Sequence, residues 1–171
     1  LCFRSPYSCA LMTRPSLAVV QALRATARRL DTATGLKAYQ WGHMGACNCG
    51  HLAQTVCRLD PADIHQRALR TRHGDWDDQL NDYCPHSGLP LDDVIDQLLE
   101  LGFSREDLAH LERLSHPAVR AALGPAPLRH NHRPDAVRYL RAWADVLEAR
   151  LLAKVPAVPT AVAPPALLAT V

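Results

Sequence analysis

From Ser16 onward the apolar residues return with a helical period. Leu17, Val20, Leu23, Ala27 and Leu30 share one face while Arg24, Arg28 and Arg29 fall elsewhere. Ser16 offers a hydroxyl to cap that helix, which the spacing carries to about Asp31. Cys49, Leu52, Ala53, Val56 and Cys57 make a second face at the i, i+3, i+4, i+7 and i+8 positions, with Asn48 as its predicted cap. Asp60 and Pro61, followed by Asp63, open a third helix that ends near Arg72, because proline suits the first helical turn and carboxylates suit its positive end. Further on, Leu91 to Leu101 is a helix stopped by Gly102, and Ser104 with Asp107 forms a capping box for the next one. Pro117 to Leu123 is a short helix ended by Gly124. Pro134 opens the longest, with Val137, Leu140, Ala144, Leu147 and Leu151 as its stripe and Trp143 broadening it.

No segment alternates like a strand, so the expected fold is all-α: a single compact domain of about six helices with two long structured loops. The loops run from Thr32 to Cys47 and from Asp75 to Pro90, the second holding at most a short helical turn. Both carry more aromatic surface than a linker would. The 171 residues, 48% hydrophobic and 21% charged, suit one globular core and contain no apolar run of the roughly 20 residues a membrane span needs. The chain opens with Leu1, and Met12 stands shortly before a good helix, so residues 1–11 are read as an extraneous extension. Residues 12–154 are the helical domain, and 155–171, Val/Pro/Ala-rich and uncharged, are expected to be a disordered tail.

Charge changes the picture more by its order than by its sum of +2. Met12 to His73 holds nine basic and three acidic residues, Gly74 to Glu112 one basic and eleven acidic, and Arg113 to Lys154 eight basic and three acidic. Such alternation suits helices folding back so that opposite signs meet; the alternative is an acidic docking face over 74–112 for a protein partner. Net charge this small makes nucleic acid an unlikely ligand. The basic residues are nearly all Arg, which fits a GC-rich coding sequence. Six unevenly spaced cysteines do not make a disulfide framework, and without a signal peptide the expectation is a reducing cytoplasm.

The densest chemistry lies between His43 and His51, where His43, Cys47, Cys49 and His51 put four soft or borderline ligands into nine residues. Zinc or another thiophilic transition metal takes thiolate and imidazole ligands, and Cys84 and His86, with the same one-residue spacing, could complete the shell from the second loop. The competing explanation is that Cys49 and Cys57 are small buried hydrophobes. A second reading makes Cys47 or Cys49 a nucleophile at a helix N-terminus, where the dipole lowers thiol pKa and free N–H groups can hold an oxyanion, with His51, His130 or His132 as base. Over this short stretch, Gln40, Gly45, Cys47 and Cys49 resemble the region around the nucleophile in papain-like cysteine peptidases. The spacing differs, no aromatic follows the cysteine and no β-rich half supplies a histidine, so that family's activity is not carried over.

Tyr39, Trp41, Trp76, Tyr83, His130 and His132 are candidates to line a ligand pocket between the loops, with core burial the alternative for the aromatics. Asp75, Asp77, Asp78 and Asp82 could hold a hard cation, but helix caps and solvated surface explain them more simply. The turn Leu101–Gly102–Phe103–Ser104 resembles the one that joins two helices in the ubiquitin-associated domain, a pattern shared by any tight helix–helix turn. A non-enzymatic helical interaction module thus stands beside the metal-binding and nucleophile readings.

Overall fold

A computed structural model describes residues 13–32 and 39–155. The proposed extraneous extension and the Val/Pro/Ala tail lie outside the described residues, apart from Val155. The described residues form eight α-helices and no strand. They are α1 (Leu17–Thr32), α2 (Asn48–Cys57), α3 (Pro61–Thr71), α4 (Trp76–Asn81), α5 (Asp92–Leu101), α6 (Arg105–Arg113), α7 (Pro117–Leu123) and α8 (Arg133–Leu152). The all-α class is as the periodicity indicates. The helix number is higher than about six, and the helix the period does not reveal is α4, whose six residues are too few to show one although Trp76, Gln79 and Leu80 are buried.

This helix lies inside what reads as the second loop. Asp75 accepts from the Asp78 N–H (3.1 Å) while Asp78 accepts from the Asp75 N–H (3.1 Å). Two of the clustered aspartates are thus a capping box. Ser104 and Asp107 do the same for α6, and the Asp60 side chain accepts from the Asp63 N–H (2.8 Å) to start α3.

α1 lies along α8, and α2 sits at the centre, touching α1, α3, α5 and α6. The core between them holds Trp76, Trp143, Tyr139 and a set of leucines from Leu23 to Leu147. Charge complementarity appears at several seams. Arg24 of α1 pairs with Asp145 and Glu148 of α8, and Arg141 of α8 pairs with Asp31 of α1. These are exposed and worth about 0–1 kcal/mol each. By contrast, Arg72 grips the buried Asp92 with two bonds of 2.9 and 2.7 Å, and Ser87 Oγ donates to the same carboxylate at 2.5 Å. Burial raises the Asp92 pKa, but Arg72 and Ser87 outweigh it and hold the carboxyl below its ordinary range. Losing one partner of a buried pair like this costs about 3 kcal/mol, because the other charge is left unmatched. Among the described residues no helix is long and apolar enough to cross a membrane.

Candidate functional site

The loop before α2 is folded tightly onto the helix it precedes. Gln40 N–H donates to Ala46 O (3.0 Å), Ala46 N–H to His43 O (2.8 Å) and Cys47 N–H to His43 O (3.0 Å). Two glycines let backbone meet backbone. A β-carbon on Gly45 would lie 2.7 Å from Pro61 Cα, and one on Gly50 would lie 2.8 Å from Gly45 Cα and closer still to the Met44 carbonyl. The Met44 carbonyl, held in this way, accepts from Trp76 Nε1 (2.9 Å) and from the Cys47 thiol (3.7 Å).

Cys47 itself is the N-cap of α2, with extended φ −84° and ψ −170°. Asn48, expected to cap, is instead the first helical residue. Its amide group lies 2.9 Å from Glu112 O, 3.0 Å from His130 O and 3.3 Å from Leu111 O, tying α2 to the end of α6 and to the loop before α8. The Tyr39 hydroxyl is 2.8 Å from Asn48 Oδ1 and 2.9 Å from His130 O.

This clamp brings Glu112 of α6 to the start of α2. Glu112 is 5% exposed, and its Oε2 accepts the Cys49 N–H at 3.2 Å. That amide is one of the donors the helix start leaves unpaired, so the carboxyl serves α2 as a cap supplied from another helix. The same carboxyl lies beside both thiols. Burial pushes Glu112 up to about 7, with the Cys49 amide and the two thiols pulling down and Asp77 pushing further up. Burial and the Glu112 charge drive both thiols well above their ordinary value, while the Gly50 N–H pulls Cys47 the other way. Both cysteines rest as neutral thiols, Cys49 donating to Leu108 O at 3.1 Å.

Cys47 and Glu112 form one wall of a cavity of about 240 Å³, closed by Trp41, Gly42, Met44, Gly74 and Asp75. Trp41, 38% exposed, stands at its mouth with its ring 4.6 Å from that of His130. Other candidates lie elsewhere. Trp76 is core, as its alternative reading has it. Tyr83 hydrogen-bonds Asp96 under Arg105, and His132 pairs with Asp135 at the start of α8 (3.0 Å). His51 is buried behind Tyr39, the rings 6.3 Å apart, and His43 stacks on His65 at 4.1 Å.

Cys84 is exposed, its N–H directed at Asp92 (3.4 Å), and His86 is exposed in the following turn. Neither belongs to the wall that holds Cys47. Among the described residues no group of three or more His, Cys, Asp or Glu side chains is placed to hold a metal ion. The four described cysteines are free thiols. Glu112 and the backbone role of Gly45 and Gly50 were not singled out from sequence. A signal existed for Glu112: it stands four residues after Leu108 and next to Leu111, on the apolar side of α6.

No family model matches the chain, and neither a curated protein nor a solved structure matches it.

Proposed function

We propose that this protein is a cysteine enzyme of the cytoplasm in which Cys47 is the nucleophile and Glu112 its general base. The observation that carries the reading is the buried Glu112 carboxyl, set beside the Cys47 thiol in the wall of an open cavity, with its pKa pushed up to about 7. A base works best when its pKa lies near the working pH, and an ordinary carboxylate is too weak to take a proton from a thiol. Here the carboxyl is a stronger base than an ordinary one, set against a thiol that burial has also made a weaker acid. Proton transfer from Cys47 to Glu112 leaves a thiolate at the start of α2, where burial opposes the charge and the helix dipole and the Gly50 N–H offset part of that cost. The base differs from the histidines the sequence offers: His132 is engaged with Asp135, His51 is buried behind Tyr39, and His130 packs on Trp41 and is not among the residues that line the cavity with Cys47.

The test is the alkylation rate of Cys47 by iodoacetamide near neutral pH, in a chain whose Cys2, Cys9, Cys57 and Cys84 are serine. Glutamine at position 112 keeps an acceptor for the Cys49 N–H but cannot take a proton. Glu112→Gln is expected to slow alkylation by about tenfold or more. Equal rates in the two proteins, both with native helical content, would remove the base and with it this reading.

A further inference from the structure

Cys49 has no place in a mechanism that needs only Cys47, yet it shares the same carboxyl. Its sulfur is fully buried behind the cavity wall, its N–H donates to Glu112, and its thiol lies beside that carboxyl together with Cys47. A group that needed only a structural contact here would not have to be a second nucleophile on the same base. Resting on the reading of Cys47 as nucleophile, we propose that Cys49 is its resolving thiol and that the site carries out thiol–disulfide exchange with a small cationic disulfide.

The short chain between them permits the pair to close once the sulfurs leave the separate carbonyls, Met44 O and Leu108 O, that they now face. Two residues apart, the α-carbons are never more than about 7 Å from each other, at the upper edge of what a disulfide spans, and the helical turn at Asn48 shortens that distance. A bond enclosing only Asn48 has to open the first turn of α2, which favours its re-reduction and suits a bond that cycles. The substrate's charge follows from the cavity. Its lining includes Asp75, no Lys or Arg, and a Glu112 that is negative until it takes the Cys47 proton, and Trp41 offers an aromatic face. Such a wall repels anionic disulfides and attracts ammonium groups.

The chemistry balances. Glu112 takes the Cys47 proton, and the thiolate attacks one sulfur of R–S–S–R. The S–S bond breaks, the first RS⁻ leaves and takes the proton from Glu112, which is thereby a base again, and Cys47 holds the second RS group as a mixed disulfide. Cys49 then gives its proton to Glu112 and attacks the Cys47 sulfur, expelling the second RSH. The protein loses two electrons and two protons, and one disulfide becomes two thiols.

The experiment treats the same chain, with serine at positions 2, 9, 57 and 84, with cystamine and then reads intact mass, beside a Cys49→Ser version. Circular dichroism establishes that both are folded. The expected result is a product lighter by two hydrogen atoms when Cys49 is present, and a stable Cys47 adduct carrying one cysteamine when it is serine. Cystamine is expected to react about tenfold faster than oxidised glutathione at equal concentration. A persistent adduct in both proteins overturns the resolving role and leaves the nucleophile standing. No adduct in either overturns the nucleophile as well, and a preference for glutathione overturns the cationic substrate.

Discussion

Gly50→Ala will cost the fold about 3 kcal/mol or more and will scatter the site even where the protein survives. In most helices the same change is stabilising, since alanine is the better helix former by about 1 kcal/mol. Here the sign reverses. The added methyl would stand 2.8 Å from Gly45 Cα and collide with the Met44 carbonyl, and both atoms are backbone. No rotamer can relieve that contact, so the loop has to lift off α2. Lifting it removes the Met44 carbonyl from Trp76 and Cys47, and the Gly45 carbonyl from Gln54, which donates to it at 2.6 Å. Gly45→Ala meets Pro61 in the same way from the other side. Chemical denaturation of Gly50→Ala and of Gly42→Ala checks this. Gly42 has open space around its Cα and a φ of +83°, so it pays only the smaller penalty of a left-handed alanine, about 1 kcal/mol.

The second large effect is a stability that falls as the pH rises. Glu112 ionises near 4.5 in an unfolded chain and near 7 in the folded protein. Below the first value the carboxyl is protonated in both states and contributes nothing to the pH dependence. Between the two values the folded state keeps a proton that the unfolded chain has released, so each step upward in pH favours unfolding. Above the second value the loss is complete, at about 3 kcal/mol. Asp92 and Asp135 work in the opposite sense, since their carboxyls are held below the ordinary range and their contribution is lost only as the pH falls through it. The two trends occupy different windows. Glu112→Gln removes the upper one: its stability relative to the parent is expected to grow by about 3 kcal/mol between pH of about 4 and about 8. A difference that stays flat over that range would show that Glu112 titrates normally.

Much of the fold was legible because helix starts and stops are local chemistry. Asp60–Pro61, Ser104 with Asp107, and Gly102 each act within one turn, and each appears in the structure where the sequence places it. α4 was harder to see, because its six residues carry no period and its buried Trp76, which reads more readily as core than as pocket, does not mark a helix by itself. The site was half legible. Cys47 and Cys49 stand out by density alone, but Glu112 reaches them from more than sixty residues away, through a clamp made by Asn48 and Tyr39. One of eleven carboxylates between Gly74 and Glu112 gives no sign of being a buried one unless its helical face is examined. Whether Cys84 and His86 could meet the first loop depends on where two loops lie in space, and no local pattern encodes that.

The central claim is that one buried carboxyl holds and releases a proton between two thiols near neutral pH. The most direct measurement is a carbon-13 NMR titration of the Glu112 side-chain carboxyl, in the parent and in Cys47→Ala. The account predicts a midpoint near 7 in the parent, as burial at this position requires, and a displaced midpoint once the Cys47 thiol is gone. A Glu112 carboxyl that titrates near 4.5 in both proteins would contradict it, leaving the residue as a cap for α2 and Cys47 without a base.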